Sequence, residues 1–506
     1  MSQNSEKSIR HIVIVGGGSA GWMTAAALSR LLQPEHMQIT LVESEQIGTI
    51  GVGEATIPDI ANFNRILGIR EDEFMAATNA TFKLGIQFEN WGHLGERYFH
   101  PFGQHGADMH GIDFHQFWLA TKAQGSKHSI EDYSLCAVAA KQGKFQLPAN
   151  DPRNVLSQIR YAYHFDATLY AGFLRNYSEK RGVKRIEGKV ETIKVQNETG
   201  FIESLKLDSG KVISGDFFFD CTGFKALLMS ETLGVRFQDW THWLPCNSAQ
   251  AIACEQNGPL LPYTKATALK AGWQWRIPTQ KRTGSGHIYS NQFISDQDAG
   301  DALLKGLDGA PMGAPKQLRF TTGRRETFWD KNCIAIGLSA GFLEPLESTS
   351  IYLIQMGISR FISMFPGSQH PSIVSKEYNR HMSLLFDQVR DFLILHYCTT
   401  GRDDSDFWSY CRNMPLPDSL VHKMELFKSA GRVFRYEDEL FSKPSWVAVM
   451  LGQGILPKTI DPIVLSLPIE DLQRSLGSMQ NAMQNAAMNM PTHERFIQEY
   501  CVSSTS

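Results

Sequence analysis

The feature that most constrains the fold is a glycine-rich turn between a short apolar run and a helical stretch near the start of the chain. Residues His11 to Val15 are apolar and rich in β-branched side chains, which is typical of a buried strand. Gly-Gly-Gly-Ser-Ala-Gly follows at residues 16–21, and the Ala/Leu-rich stretch from Trp22 to Leu32 predicts a helix. This order of strand, turn and helix predicts the first half of a dinucleotide-binding unit.

Each glycine of the G-x-G-x-x-G pattern has a physical task. Gly16 allows the tight turn, Gly18 lets the backbone approach a pyrophosphate, and Gly21 lets the helix pack closely on the strand. Ser19 and Ala20 stand where the helix begins, so their N–H groups and the positive end of the helix dipole face the phosphates. These five residues are the predicted phosphate-binding positions.

A carboxylate completes the pattern. A second apolar run, Gln38 to Val42, ends at Glu43, about the distance beyond the glycines at which an acidic residue binds ribose hydroxyls. The alternative for Glu43 alone is a solvated carboxylate at a strand end. The surrounding strand, turn and helix favour the ribose contact, although they do not distinguish NAD from FAD.

Two later segments favour FAD. Residues 216–223, Asp-Phe-Phe-Phe-Asp-Cys-Thr-Gly, and 334–341, Ile-Ala-Ile-Gly-Leu-Ser-Ala-Gly, each predict a buried strand that ends in a turn of small residues. This arrangement resembles the glutathione-reductase-type FAD-binding fold, an α/β fold with a Rossmann-like core. Gly337 is the implied cofactor contact, but Leu338 stands where that fold has an aspartate for the ribityl chain. We therefore expect the ribityl chain to be held differently here.

Composition and charge exclude several classes of protein. The 506 residues carry a net charge of −3, so no basic surface suggests nucleic-acid binding. No apolar run is long enough to cross a membrane, and the opening residues do not form a signal-peptide pattern. The eight cysteines are scattered without a metal-binding spacing. We expect a cytoplasmic protein with no metal site.

Three further motifs make the chain resemble the flavin-dependent tryptophan and indole halogenases. They are G-W-x-W-x-I-P at residues 272–278, Gly-Val-Gly-Glu-Ala-Thr at 51–56 and Glu-Pro-Leu-Glu-Ser-Thr at 344–349. The resemblance implies a flavin monooxygenase fold and a reaction in which FADH2, O2 and chloride or bromide give hypohalous acid, which halogenates an electron-rich aromatic ring. It also implies a homodimer. Because residues 284–286 and 452–454 lack the context of a second dinucleotide motif, a separate NAD(P)H-dependent flavin reductase is expected to supply FADH2.

The resemblance assigns the catalytic lysine to Lys83, within Thr-Phe-Lys-Leu-Gly-Ile-Gln-Phe at residues 81–88. A lysine in an arbitrary sequence is usually a solvated surface cation, but the apolar neighbours and the motif favour function here. Two roles stay open, a covalent haloamine and an ammonium that donates a hydrogen bond to hypohalous acid. An ordinary lysine pKa leaves about one amine in 2,500 neutral at pH 7, and a nearby carboxylate would favour the protonated donor.

The segment at residues 344–349 and the residue after it supply the other implied reactive positions. Glu347 matches the family's acidic partner, which orients the electrophile or accepts the ring proton, and a carboxylate at a helix start is the alternative. Glu344 is a weaker, more structural candidate. Thr349 and Ser350 are the implied halide-binding positions, where helix capping is the alternative. Ser350 stands where tryptophan halogenases usually have glycine.

Four aromatic or imidazole side chains are implied to form the substrate pocket and its approach. Trp273 and Trp275 alternate along a predicted strand and share one face, where the resemblance implies that they flank the route from flavin to substrate. Ordinary core packing is the alternative. His100 and Phe102 match the positions that stack on an indole, and a buried structural histidine is the alternative for His100.

The domain organisation follows from these assignments. Residues 1–365 are predicted to form the FAD-binding module, with an interleaved substrate-pocket region at about 80–330, and the mainly helical residues 366–506 are predicted to cover the substrate. Tryptophan halogenases usually hold the charged end of the amino acid with a Tyr/Glu/Phe-Trp segment, and residues 432–450 do not match it. Tryptophan, indole and larger indole-bearing molecules all stay open as substrates. An aromatic hydroxylase and a non-catalytic flavin-binding protein are the alternative functions.

Overall fold

A six-stranded sheet holds the glycine-rich turn. In the computed structural model, which describes residues 8–46, 53–367 and 372–502, the strand His11–Val15 lies between Gln38–Glu43 and Phe217–Asp220, parallel to both. The helix Ser19–Leu31 joins the first two strands, as a dinucleotide-binding unit requires. Across the sheet, the strands are Trp329–Asp330, Cys333–Ala335, Phe217–Asp220, His11–Val15, Gln38–Glu43 and Lys184–Glu187.

The helix after the turn begins earlier than the sequence predicts. It starts at Ser19 rather than Trp22, because the turn itself supplies the first helical residues. Trp22, Met23 and Leu28 are buried on its core side. Each such side chain contributes roughly 1.5–3 kcal/mol through burial, which fixes the helix against the sheet.

A seven-stranded, mostly antiparallel sheet carries the tryptophan motif and the predicted pocket histidine. The strand Gly272–Pro278 coincides with the motif, and its neighbours are antiparallel to it. The pair Thr264–Leu269 and Gly85–Glu89 is parallel. Across the sheet, the strands are Lys316–Arg319, Ser248–Cys254, Thr283–Tyr289, Gly272–Pro278, Thr264–Leu269, Gly85–Glu89 and Arg97–Pro101.

Three small sheets complete the β structure. One of them consists of Gly53–Ala55, Ala162–Asp166 and Thr81–Lys83, so Lys83 is the last residue of a short buried strand. Gly51 and Val52, which belong to one of the three halogenase-like motifs, lie outside the described residues. The other two sheets consist of Val212–Ser214, Ile202–Leu207 and Val190–Val195, and of Phe237–Asp239, Gly323–Arg325 and Gly341–Phe342.

The chain is helical after the last strand, as the sequence predicts. The helices of this part are Ser350–Ser363, Ser372–Cys398, Asp406–Asn413, Asp418–Ala430, Lys443–Gly452, Pro462–Leu465, Ile469–Asn489 and His493–Val502. The earlier α-helices are Ser19–Leu31, Asp59–Leu67, Glu71–Thr78, Phe114–Ala123, Leu135–Lys141, Ala167–Glu179 and Asp296–Lys305. Short 3-10 turns lie at Ile130–Tyr133, Val155–Gln158, Gly223–Lys225, Gly337–Ser339 and Pro345–Glu347, and a π-helical turn at Leu227–Thr232. The domain division at residue 365 stays a prediction.

The described residues also bear on membranes and metals. None of the helices in these parts of the chain is long and apolar enough to cross a bilayer. Within the same residues, no group of three His, Cys, Asp or Glu side chains is arranged to hold a metal ion.

Candidate active site

A cavity of about 920 Å³ opens at the carboxyl edge of the six-stranded sheet. The predicted cofactor-binding residues that line it are Gly16, Gly18, Ser19, Ala20, Glu43 and Gly337. Gly21 lies behind this wall, and a Cβ atom there would come within 1.8 Å of the Gly16 carbonyl oxygen. Gly21 therefore serves the close packing of helix and turn that the sequence predicts.

The glycine turn fits the pyrophosphate of FAD. Gly16 has a φ of +111°, and a Cβ atom there would lie 2.1 Å from the Cys221 carbonyl oxygen. Gly18 precedes the helix, and no side chain caps the helix N-terminus. The first N–H groups of this helix are therefore free to donate hydrogen bonds to phosphate oxygens, and no side chain at Gly18 obstructs them.

Glu43 is held in place at the cavity wall. Trp22 Nε1 donates a hydrogen bond of 3.2 Å to Glu43 Oε2, and Arg185 forms a salt bridge with Oε1. Glu43 is therefore not the freely solvated carboxylate that was the alternative. Its position beside the glycine turn is compatible with the predicted ribose contact.

Replacing Gly16 with alanine should weaken FAD binding at least tenfold and lower the thermal unfolding midpoint. The new methyl group would overlap the Cys221 carbonyl, and alanine also resists the left-handed backbone conformation, at a cost of roughly 1–3 kcal/mol. Titration followed by flavin fluorescence, with a thermal melt, measures both effects. Gly477→Ala is the matched control, because it lies in a helix with no atom within 4 Å of the new Cβ. Equal FAD affinity in the Gly16 variant and the wild type would contradict this account.

Lys83 is fully buried and lies beside the cavity. Its Nζ donates hydrogen bonds to Thr56 O at 3.0 Å and Ser348 Oγ at 2.7 Å, and it lies 4.9 Å from the centre of the Phe102 ring. Ser348 also lines the cavity. Lys83 is therefore separated from the cavity by one hydroxyl-bearing residue and does not point into bulk water.

Burial changes the acid–base character of Lys83. Within the described residues, Lys83 forms no salt bridge with a carboxylate. Burial lowers the pKa of Lys83 to about 7, although the charge of Glu347 opposes the shift. The neighbouring carboxylate therefore does not keep this lysine at its ordinary pKa.

Two histidines hold the Glu347 carboxylate. His100 Nδ1 lies 3.0 Å from Oε1 and 2.9 Å from Oε2, and His396 Nε2 lies 2.8 Å from Oε1. The His396 contact is short but off-line, so it is an ion pair rather than a well-aligned hydrogen bond. Burial alone would raise the pKa of Glu347, but the two histidines outweigh burial and lower the pKa to about 2. Glu347 is therefore an anion at neutral pH.

The predicted halide residues lie where a short turn passes into a helix. The helix begins at Ser350, because a 3-10 turn ends at Glu347 and Ser348 adopts a left-handed conformation with φ of +62°. Thr349 is the N-cap residue, but its side chain makes no capping hydrogen bond and its buried Oγ1 has no partner among the described residues. The capping interpretation of Thr349 is therefore wrong. Ser350 lines the cavity.

The two tryptophans of the motif stand between the cavity and the interior. Trp275 lines the cavity, and the Trp273 ring centre lies 6.1 Å from that of Trp275. Trp273 Nε1 donates to Glu344 Oε2 at 3.0 Å, and Tyr397 donates to the same oxygen at 2.5 Å. Burial raises the pKa of Glu344 to about 7. These contacts agree with the structural role expected for Glu344.

Comparison with known proteins identifies the family of this chain. The family model described as tryptophan halogenase matches residues 11–468. The chain belongs to the tryptophan halogenase family. It is 38% identical to the tryptophan 6-halogenase of Streptomyces toxytricini over 474 residues, which cover 88% of this chain and 89% of that protein. The predicted α/β FAD-binding fold and the assignment to flavin-dependent halogenases are confirmed.

Solved structures of flavin-dependent halogenases share the whole fold. The enzyme from Xanthomonas campestris has a TM-score of 0.94 and 46% identity, over 98% of this chain and 99% of that chain. The enzyme from a Brevundimonas strain has a TM-score of 0.94 and 44% identity, over 97% and 99% of the two chains.

The structure of this halogenase adds site residues that sequence reasoning missed. Ser348 joins Lys83 to the cavity, and His396 contacts Glu347. A histidine within the apolar run Leu-Ile-Leu-His-Tyr at residues 393–397 is the one sequence signal that could have drawn attention to His396. Of the predicted residues, Lys83, His100, Phe102 and Glu347 form one cluster, while Ser350 and Trp275 face the cavity.

Proposed function

We propose that this halogenase uses hypohalous acid, formed in the cavity, to halogenate an electron-rich aromatic ring of the indole type at Lys83. The observation that carries the proposal is the burial of Lys83 Nζ one residue behind the cavity wall, at Ser348. A buried cation without a carboxylate partner costs free energy, so its presence is better explained by chemistry than by stability.

FAD is the proposed cofactor, held by the glycine turn and by Glu43. When bound in its reduced form, FAD supplies the electrons with which O2 and a halide ion give hypohalous acid. A separate flavin reductase is proposed to provide FADH2, and the family resemblance supports a homodimer. Thr349 and Ser350 are the proposed halide contacts, because Ser350 lines the cavity at the helix N-terminus and the adjacent buried Thr349 hydroxyl has no partner among the described residues.

Lys83 can act in either of its protonation states. With a pKa of about 7, about half of the amine groups are neutral at pH 7, compared with one in about 2,500 for an ordinary lysine. The neutral amine can displace water from hypohalous acid and form a nitrogen–halogen bond. The ammonium form can instead donate a hydrogen bond from N–H to the oxygen of hypohalous acid, which makes the halogen more electrophilic. Burial therefore removes most of the free-energy cost of deprotonating Lys83, which is the main argument against a haloamine.

Glu347 is proposed to stabilise positive charge on the ring during the substitution. A carboxylate with a pKa of about 2 is a weak base, so proton abstraction is its less effective use. A fixed, buried anion is effective against a developing cation. The proton of the substituted carbon then leaves to a stronger base or to water.

The proposed substrate is indole or a molecule that carries an indole, rather than free tryptophan. His100 and Phe102 offer rings for stacking, and both belong to the cluster around Lys83 and Glu347. Three charged pairs of the helical part satisfy side chains that could otherwise bind the charged end of an amino acid. These pairs are Arg432–Asp461, Lys443–Asp113 and Lys423–Glu439.

The decisive assay combines the protein with FAD, a flavin reductase, NADH, bromide and either indole or tryptophan. We expect bromoindole by mass spectrometry, a strict requirement for bromide, and a higher kcat/KM for indole than for tryptophan. A product that gains oxygen without any need for halide would favour a hydroxylase instead. Tight FAD binding with no oxygen consumption after reduction would favour a flavin-binding protein without catalysis.

A further inference from the structure

We propose that His396 is a positioning residue for halogenation, because its ring fixes Oε1 of Glu347 and balances the charge of that carboxylate. The inference rests on the proposed role of Glu347. His396 lies near the end of the long helix Ser372–Cys398 and is fully buried. It therefore reaches Glu347 from the helical part of the chain, whereas His100 reaches it from the strand Arg97–Pro101.

The contacts of the two ring nitrogens define the protonation state of His396. Nδ1 lies 2.8 Å from the carbonyl oxygen of Phe392, which can only accept a hydrogen bond. Nε2 lies 2.8 Å from Oε1 of Glu347, which is ionised. A neutral imidazole that donates from Nδ1 would turn the lone pair of Nε2 towards this anion, so we infer that both ring nitrogens carry a proton.

Aromatic packing prevents the His396 ring from turning away. The ring centre lies 4.9 Å from that of Phe88, 5.2 Å from that of Phe392 and 6.1 Å from that of Trp91. Gln453 Nε2 also donates to the His396 carbonyl at 3.1 Å. The Glu347 carboxylate is thus held by a cation whose orientation is fixed on several sides.

The ion pair is a poor source of stability. His396 and Glu347 are 0% and 1% exposed, and at such depth the cost of removing water from two charges offsets most of their attraction. Its benefit is a carboxylate fixed in one place and kept ionised. The other titratable groups that face Glu347 are Lys83, Tyr98 and His100, so loss of His396 would leave His100 as its main hydrogen-bonding partner.

The test compares His396→Phe with His396→Gln in the bromination assay. Phenylalanine keeps the aromatic packing but loses the cation, so we expect kcat to fall about 10–100-fold while KM for indole stays within about threefold. The pKa of Glu347 should rise, so a second acid limb, additional to any transition of Lys83 near pH 7, should appear at lower pH in the pH profile of the variant. Glutamine can donate one N–H to Oε1, so it should recover most of kcat.

A double-mutant cycle with Glu347→Gln separates positioning from a general structural effect. If His396 acts through Glu347, His396→Phe should lower kcat far less in the Glu347→Gln background than in the wild type. His287→Gln is the matched control, since His287 is equally buried and hydrogen-bonds to Ala299 O at 3.0 Å away from Glu347. Additive effects, or an unchanged pH profile in folded His396→Phe, would overturn the inference. If the Phe variant does not fold, His396→Asn takes its place in the cycle, because its shorter side chain does not reach Oε1 of Glu347.

A measurement without turnover keeps the inference distinct from the proposed function. In protein labelled with 15N-histidine, both ring nitrogens of His396 should be protonated at pH 7, and Glu347→Gln should convert the ring to its neutral form. A neutral His396 in the wild type would contradict the inference even if halogenation is observed. A wild-type protein that does not halogenate would refute the proposed function, while the spectrum would still report the state of His396.

Discussion

Lys83→Met should reduce bromination of indole at least about 100-fold, within the range of 10²–10⁴ that a positioned acid, base or nucleophile contributes. Methionine has nearly the same volume and fits the same buried site, but it can neither form a haloamine nor donate a hydrogen bond. Product formation by mass spectrometry, with oxygen consumption measured in parallel, separates this loss from a loss of flavin turnover. Bromoindole formed at the wild-type rate would show that Lys83 is not the reactive group.

The same substitution should leave the fold intact or make it more stable. The pKa of Lys83 is lower in the folded protein than in the unfolded chain, so protonation favours unfolding, and this cost grows as the pH falls from about 10.5 to about 7. Methionine removes that cost. Lys423→Met is the contrasting control, because Lys423 Nζ lies 2.6 Å from Glu439 and its loss would leave a buried carboxylate unpaired. Thermal melts at pH 7 should therefore show no loss of stability in Lys83→Met and a clear loss in Lys423→Met.

The pH dependence of the wild-type enzyme distinguishes the two roles of Lys83. If the neutral amine forms a haloamine, kcat should rise with pH through about 7; if the ammonium donates, kcat should fall through the same range. Lys83→Met should lack this transition. A transition near pH 10 would mean that burial does not shift this lysine.

The cofactor half of the site is predictable from the sequence because its determinants are local. The strand, the glycines and the helix follow one another within residues 11–31, so periodicity and glycine spacing specify the whole turn. Gly16 illustrates the point, since few residues other than glycine adopt its φ of +111°. The catalytic half of the site is less predictable, because its contacts join residues that are far apart in the sequence. Lys83 contacts Thr56 and Ser348, which are 27 and 265 positions away.

The helix start near Thr349 shows how tertiary contacts override a local pattern. Three consecutive hydroxyl residues at 348–350, before an apolar run, predict the first turn of a helix in which these hydroxyls serve as caps. Pro345 instead begins a 3-10 turn, and Ser348 adopts the left-handed conformation in which its Oγ reaches Lys83. The helix consequently starts two residues later, and Thr349 keeps an unpartnered hydroxyl. A sequence cannot reveal this, because Lys83 is distant along the chain.

Glu347→Gln should lower kcat by about 100-fold and also destabilise the fold at neutral pH. Glutamine cannot carry the charge that His100 and His396 surround, and removing one partner from a buried ion pair costs roughly 3–5 kcal/mol. Because the pKa of Glu347 is about 2 in the folded state, its stabilising effect is complete above about pH 4.5 and is lost as the pH falls towards 2. Urea unfolding of wild type and variant should therefore show a large difference at pH 7 that shrinks below pH 4.5.

Glu344→Gln is the matched control for this prediction, since Glu344 is equally buried but its pKa is raised to about 7. A raised carboxyl pKa means that ionisation opposes folding, and a neutral glutamine oxygen can still accept from Trp273 and Tyr397. We therefore expect this variant to lose little stability at pH 7. Equal losses in both variants, or a Glu347→Gln loss that does not change between pH 5 and pH 2, would mean that Glu347 is not the fixed anion of the site. Glu344 and Glu347 are three positions apart, and the two histidines contact only Glu347. In that case the histidine contacts would not be the reason why the two carboxylates differ.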